Sequence, residues 1–218
     1  MASARSTNKI KNSSWSFNED VALRFQQEAV QHIPDYYRVI DLCIKVADQF
    51  LSKKSRILEV GSARGQTLKR LSKSGYLNIT GVESSPAMVK GCYHSDKVIL
   101  SDKIPIGHWE MILMNWTLHF INEKEDYLHS IYNALLPNGI LIITDKMTQS
   151  AETEILYNKF KKDNGVSLAA IKKKKKMLQG ILTTRSLDWY LLILHSLNFK
   201  EISIINARFG FVTMIAKK

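Results

Sequence analysis

Four short, almost unbroken apolar runs constrain the fold most, because amphipathic segments separate them along the chain. The runs are RILEV (56–60), NITGVE (78–83), EMILMN (110–115) and ILIIT (140–144). The intervening segments, such as 65–74 and 123–136, place apolar residues at helical spacing. Strands that are apolar along their whole length are typical of a parallel sheet covered by helices on both faces. We therefore predict an α/β fold, with a further short helix at 86–92 and a further short strand at 97–100.

The ends of the chain add to this alternating core. We predict a loose basic tail over 1–14, followed over 15–52 by a helical cap that Pro34 divides into two helices. Residues 146–182 read as a basic insertion of lysine-rich helices. The remaining residues predict a helix at 186–197 and an antiparallel strand pair at 201–206 and 210–215. The prediction is one domain over 15–218, with a mostly parallel, seven-stranded, Rossmann-like sheet.

Composition narrows the classes of function. The 218 residues include 31 basic and 20 acidic ones, which gives a net charge of +11 and suits an anionic acceptor, RNA or another anionic partner. No apolar run approaches the roughly 20 residues of a membrane helix, and no secretory signal is evident, so we expect a cytoplasmic protein without a membrane span. Cys43 and Cys92 form no CxxC pair, and no histidine pairing suggests a metal site.

The turn after the first predicted strand suggests a nucleotide site. It contains Glu59 and then Gly61, Ser62, Ala63, Arg64 and Gly65. A dinucleotide-binding loop would need glycines at 61, 63 and 66, but Ala63 and Gln66 occupy two of these positions. Glu83 ends the second predicted strand, where an acidic residue can accept hydrogen bonds from both ribose hydroxyls.

This acid-x-Gly-x-x-x-Gly loop resembles motif one of the class I S-adenosylmethionine (SAM) methyltransferases. The resemblance assigns Asp102 to the adenine amine and Asn115 to the cofactor, and Leu136-Pro137-Asn138-Gly139 resembles the turn that precedes the family's fifth strand. The alternative is a generic doubly wound domain with coincidental acids. The motif for methylating an exocyclic base nitrogen, Asp/Asn-Pro-Pro-aromatic, is missing after the fourth predicted strand.

The flanking segments resemble a narrower family, the carboxy-SAM synthases. They are Trp15–Glu19, Ile33–Tyr36, Ser84–Met88, Asn115–Phe120 and Ile171–Thr183. The resemblance implies a homodimer, SAM or carboxy-SAM as cofactor, and prephenate as the carboxyl source. The cofactor residues that it implies, together with Gly65 from the loop motif, are Tyr36, Gly61, Ser62, Ala63, Gly65, Glu83, Ser84, Asp102 and Asn115.

Lys175 marks a departure from that family, where an arginine at the matching position grips the new carboxylate. It lies within five consecutive lysines, 172–176, whose ordinary interpretation is a solvated helix face. Because a helix cannot point five adjacent side chains in one direction, at least one should face inward. The resemblance to the carboxy-SAM synthases makes Lys175 the candidate. The stretch between Glu83 and Asp102 is also shorter than in the family.

Three residues are candidates for the chemistry: Lys175, Tyr36, which would close over the cofactor, and His119 as a general base. A packed core tyrosine and a structural histidine are the alternatives for the last two. We predict a SAM-dependent methyltransferase acting on a small-molecule or RNA-related acceptor. A carboxy-SAM synthase that uses Lys175, and a non-catalytic SAM- or RNA-binding subunit, remain the alternatives.

Overall fold

A computed structural model describes residues 15–218, so the predicted tail at 1–14 lies outside the described residues. Seven strands form one sheet in the order β3-β2-β1-β4-β5-β7-β6. They are β1 (Ile57–Val60), β2 (Ile79–Glu83), β3 (Val98–Leu100), β4 (Trp109–Asn115), β5 (Leu135–Lys146), β6 (Lys200–Arg208) and β7 (Phe211–Lys217). The first five are parallel, and β7 runs antiparallel to both β5 and β6. The predicted α/β class and mostly parallel seven-stranded sheet are confirmed.

Eight α-helices accompany the strands over the described residues. They are α1 (Glu19–His32), α2 (Tyr36–Phe50), α3 (Gln66–Lys73), α4 (Pro86–Val89), α5 (Lys124–Ala134), α6 (Ala151–Asp163), α7 (Leu168–Met177) and α8 (Leu187–Ser196). Side chains of Asn18, Ser150 and Ser167 cap the N-termini of α1, α6 and α7 by accepting backbone N–H groups. These short polar side chains thus determine where α1, α6 and α7 begin.

The junction between α5 and β5 differs from the sequence prediction. We expected the helix to continue to residue 136 and to end at Pro137-Asn138-Gly139, but α5 ends at Ala134 and β5 begins at Leu135. Leu135 already pairs with Trp109 of β4, and the register then shifts before Met111. Asn138 has a positive φ of 62°, so the turn-forming residues lie in an irregular start of the strand.

Two apolar layers hold the helices against the sheet. Leu128 and Ile131 of α5 pack with Tyr190 and Leu194 of α8 on one face. The other face carries α2 and α3, whose buried residues include Cys43 and Leu68. Both faces are therefore covered, and the C-terminal ends of the parallel strands are left to form a site.

The cap and the insertion meet above those strand ends. The Tyr157 hydroxyl of α6 donates to the His32 carbonyl at the end of α1, at 2.8 Å. Lys174 of α7 forms an ion pair with Glu28 of α1, also at 2.8 Å. These contacts join segments more than 100 residues apart in sequence. Among residues 15–218, no helix has the length and apolar character needed to cross a membrane.

Candidate functional site

A cavity of about 1390 Å³ opens at the C-terminal ends of β1, β2 and β4, between the cap and the insertion. Ligand pockets for single small molecules usually measure about 300–1,000 Å³, so this cavity has room for two ligands. One end is lined by the turns that follow the strands, and we call it the strand end. The other is lined by Lys146, α6 and α7, and we call it the lysine end.

Gly61 begins the strand end directly after β1. Its φ is 69°, and a Cβ at this position would overlap the Thr117 hydroxyl and lie 2.9 Å from Thr117 Cγ2. Both the backbone conformation and the close approach therefore require glycine. This geometry brings the backbone after β1 against the turn after β4, at the edge of the cavity.

Glu83 is held by the backbone on both sides. Its Oε2 accepts the Ala63 N–H at 2.9 Å, and its Oε1 accepts the Ser85 N–H at 2.8 Å. These two hydrogen bonds fix the plane of the carboxylate, while each oxygen retains a further lone pair. A ligand with two adjacent hydroxyls, such as a ribose, fits this acceptor.

Four side chains of the cavity lining have a buried nitrogen or oxygen atom without a hydrogen-bond partner. The atoms are Glu59 Oε2, Ser62 Oγ, Asn115 Oδ1 and Trp116 Nε1. Such atoms are rare in folded proteins, and a polar ligand can supply the missing partners. SAM offers an amine, a carboxylate, ribose hydroxyls and an adenine, so the residues present fit this cofactor.

Glu59 differs from Glu83 in its surroundings. Burial raises the pKa of Glu59 to about 8, and the nearby negative charge of Glu83 adds a smaller contribution. Glu59 is therefore mostly protonated at pH 7. The strand end thus presents one protonated and one backbone-anchored carboxyl group side by side.

Most residues that the sequence predicted for the site meet in this cavity. The lining includes Tyr36, Gly61, Ser62, Ala63, Glu83, Ser84, Asp102, Asn115, His119 and Lys175. Gly65 is the exception, because it does not line the cavity. A Cβ on Gly65 would overlap the Tyr93 carbonyl and lie 2.6 Å from Cys92 Sγ, so the short segment after α4 is what requires glycine there.

Tyr36 lies at the start of α2 and is buried. Its ring stacks on Trp116, with 4.8 Å between the ring centroids and 28° between the planes. Burial raises the pKa of its phenol well above the usual value, so the hydroxyl remains protonated. Tyr36 thus packs against the turn after β4 and still lines the cavity.

His119 is buried beside an acid that orients it. Its Nδ1 is hydrogen-bonded to Asp145 Oδ1, and Asp145 Oδ2 accepts the Tyr190 hydroxyl at 2.5 Å. The carboxylate therefore favours the proton on Nδ1 and leaves Nε2 as the basic nitrogen. Asp145 and Tyr190 are parts of this arrangement that the sequence analysis missed, because they lie 26 and 71 positions further along the chain.

Among the five consecutive lysines of α7, Lys174 is more enclosed than Lys175, the residue that we expected to face inward. Lys174 has 30% of its side chain exposed, whereas Lys175 has 72% exposed and pairs with Glu154 of α6 at 2.5 Å. Ile171 is the buried residue of α7, and positions three and four residues later share its face of the helix. Both lysines therefore line the cavity, but Lys174 is the more enclosed one.

Two other lysines of the lysine end were not singled out from the sequence. Lys146 ends β5, and Lys161 lies in α6 with only 8% of its surface exposed. Each ammonium lies near the ring of Tyr157. The burial of Lys161 distinguishes it from the many surface lysines, and burial does not show in a polar helical segment of sequence.

The sheet order, the strand-end loop and the anchored Glu83 define a SAM-dependent methyltransferase-fold enzyme. A family model described as methyltransferase domain matches residues 30–189, and the chain belongs to this family. SAM is accordingly its cofactor, and the chain is a SAM-dependent transferase.

Similar proteins agree with this classification. The chain is 29% identical to the carboxy-S-adenosyl-L-methionine synthase of Actinobacillus pleuropneumoniae, over 94% of this chain and 93% of that protein. The corresponding protein of Photorhabdus laumondii is also 29% identical, over 94% and 89%. Among solved structures, magnesium protoporphyrin IX methyltransferase of Synechocystis superposes with a TM-score of 0.67 at 14% identity, covering 93% of this chain and 96% of that chain.

Proposed function

We propose that this enzyme transfers the methyl group of SAM to an acceptor that binds at the lysine end of the cavity. The observation that carries the proposal is the single continuous cavity, in which the backbone-anchored Glu83 lies at one end and the lysines lie at the other. A cofactor and a second molecule can therefore share the cavity and exclude water from the space between them. Orientation of this kind supplies much of the acceleration in group transfer.

The residues of the strand end would hold the cofactor. Glu83 would accept from the ribose, Asp102, which lines the cavity, would accept from the adenine amine, and Asn115 would offer its unsatisfied oxygen. Bound SAM supplies an electrophilic methyl group on a sulfonium. Tyr36 covers the site from the cap and stays neutral, so it can donate a hydrogen bond without adding charge.

His119 is the residue that we propose to remove a proton from the acceptor. Asp145 orients its ring and stabilises the imidazolium that forms, and Tyr190 in turn fixes Asp145. All three groups are held by hydrogen bonds before any ligand binds. An acceptor that carries a hydroxyl or amine proton suits this base.

A second candidate function is the synthesis of carboxy-SAM from SAM and prephenate. It is supported by relatives that carry this name and match 94% of the chain. In this interpretation Lys175 replaces the arginine that grips the new carboxylate. Lys175 would have to exchange its pairing with Glu154 for the carboxylate, and a lysine lacks the planar, two-pronged geometry of arginine.

Mass spectrometry of the ligand that co-purifies with the enzyme, followed by incubation with SAM with and without prephenate, separates these functions. SAM or its demethylated product, with no carboxylated product after incubation, supports methyl transfer. Carboxy-SAM formed only with prephenate would overturn it in favour of the second function. An empty site with no measurable SAM binding would contradict both and favour an RNA-binding role, for which the charge of +11 provides a surface.

A further inference from the structure

We propose that Lys161 and Lys146 form an anion subsite at the lysine end that takes a carboxylate or phosphate group of the acceptor. The acceptor would then be an acid. This inference rests on the proposed function, because it assigns the anion to the second molecule in the cavity and not to the cofactor.

Lys161 is enclosed, and the acid that acts on it, Glu154, is already ion-paired with Lys175. Lys161 is 8% exposed and lines the cavity, and no residue of the described chain lies close enough to form an ion pair or hydrogen bond with its ammonium. Its nearest aromatic contact is the face of Tyr157, with Nζ 4.0 Å from the ring centroid. An enclosed ammonium that contacts only a ring is poorly compensated for its lost hydration.

Lys146 brings a second ammonium to the same ring. Its Nζ lies 4.7 Å from the centroid of Tyr157, and the Tyr157 hydroxyl is tied to the His32 carbonyl. The ring is therefore fixed, and the two lysines converge on it from different elements, β5 and α6. Burial, followed by the charge of Lys146, lowers the pKa of Lys161 to about 8, and the charge of Glu154 offsets only part of this shift.

The acids at this end are already engaged. Glu28 pairs with Lys174, and Glu154 pairs with Lys175. Burial together with Lys174 lowers the pKa of His32 to about 4, so His32 adds no positive charge at pH 7. Lys174 and Lys175 thus have paired carboxylates. Among residues 15–218, Lys146 and Lys161 form no ion pair of their own and only share the charge of Glu154 with Lys175. An incoming carboxylate or phosphate would complete this set of charges.

The charges also indicate which ligand supplies the anion. The strand end carries Glu83 and Asp102, which suit the hydroxyls and amine of the cofactor, and SAM itself contains a positive sulfonium. The lysine end has the opposite sign. An acidic acceptor therefore matches the second half of the cavity without competing for the first.

The test uses Lys161→Met, Lys161→Arg and, as a matched control, Lys159→Met on the same helix. Lys159 is an exposed residue that pairs with Asp163 at 2.9 Å and does not line the cavity. Calorimetry measures malonate and inorganic phosphate binding to enzyme saturated with SAM, and separately measures SAM binding. We expect about tenfold or greater loss of anion affinity in Lys161→Met, and near wild-type affinity in Lys161→Arg and Lys159→Met. SAM affinity should stay unchanged in all three.

Equal losses in Lys161→Met and Lys159→Met would overturn the inference, because they would indicate a diffuse basic surface. The inference would also be overturned if Lys161→Met lowered the affinity for carboxy-SAM and carboxy-SAM displaced malonate. These results would assign the anion to the cofactor. Wild-type enzyme that binds SAM but neither anion would contradict this inference and leave the proposed function standing. Failure to bind SAM would instead contradict the proposed function. Thermal unfolding of each variant establishes that the compared proteins are folded.

Discussion

The two ends of the cavity are built in different ways. At the strand end, backbone groups do most of the positioning: N–H donors of Ala63 and Ser85 hold Glu83, and the bare Cα of Gly61 contacts Thr117. At the lysine end, long side chains from α1, β5, α6 and α7 converge. The first end thus has a fixed shape that suits a constant cofactor, and the second can vary its side chains to suit an acceptor.

The largest effect should come from changing the shape of the strand end. Gly61→Ala introduces a Cβ into the space of Thr117 at a φ of 69°, and we expect a loss of about 2–4 kcal/mol in the free energy of unfolding, with weakened SAM binding. Gly180→Ala is the control, since it has a φ of 78° with open space around it. Denaturant unfolding checks both variants. Similar small losses in the two would show that the close approach at Gly61 does not matter.

Removing Glu83, the proposed ribose acceptor, should have the second largest effect, which would fall on cofactor binding. Glu83→Ala leaves two hydroxyls without their acceptor and frees the Ala63 and Ser85 N–H groups. We expect SAM affinity to fall by about 1–3 kcal/mol in calorimetry. Glu152→Ala, at an exposed acid of α6, serves as the control. Unchanged SAM affinity in Glu83→Ala would contradict the assignment of the strand end to the cofactor.

A substitution at the lysine end should stabilise the protein, whereas Gly61→Ala at the strand end should destabilise it. Lys161→Met removes a buried charge and, without any anion, should raise the free energy of unfolding by about 1 kcal/mol at pH 7. The charged groups that act on Lys161 are Lys146, Glu154, Lys174 and Lys175.

The pH dependence of this stabilisation sharpens the comparison. The pKa of Lys161 is about 8 in the folded protein and about 10.5 when unfolded, so the folded state binds fewer protons between these values. The cost of the buried ammonium is full below pH 8 and declines as the pH rises towards 10.5. The advantage of Lys161→Met should therefore shrink between pH 7 and pH 9.5 in denaturant unfolding. A constant difference would show that Lys161 is already compensated.

Lys175 should give the smallest effect on SAM. It is largely exposed and paired with Glu154, and pairs of this kind contribute about 0–1 kcal/mol. Calorimetry should show that Lys175→Ala and Lys175→Arg leave SAM affinity nearly unchanged, with any change in acceptor binding reduced by salt. If Lys175→Ala weakens carboxy-SAM far more than SAM, and Lys175→Arg restores it, the carboxylate-gripping role is supported instead.

The two ends also differ in how far the sequence predicts them. The apolar runs predicted the parallel strands, because burial on both faces leaves a direct trace in composition. Motif spacing then brought Gly61, Glu83 and Asn115 to one cavity, since parallel strands end at one edge. Gly65 was expected to line the cofactor site, but it contacts Cys92 and Tyr93 in the segment after α4. Motif spacing does not reveal where this segment lies.

The lysine end could not be predicted in the same way. Five consecutive lysines look alike in sequence, and only the tertiary contacts of α7 distinguish the more enclosed Lys174, which pairs with Glu28 of α1, from the exposed Lys175, which pairs with Glu154 of α6. Lys161 lies in a polar helix, and its burial results from contact between the insertion and the cap. Such contacts are set by tertiary structure and have no periodic signal.

A crystal structure of the enzyme with S-adenosylhomocysteine and malonate tests the central claim most directly. The account predicts the ribose hydroxyls within hydrogen-bond distance of Glu83, the sulfur facing the lysine end, and malonate against Lys161 and Lys146. Cofactor bound away from Glu83, or malonate bound at the strand end with the lysine end empty, would contradict a cavity divided between cofactor and acidic acceptor.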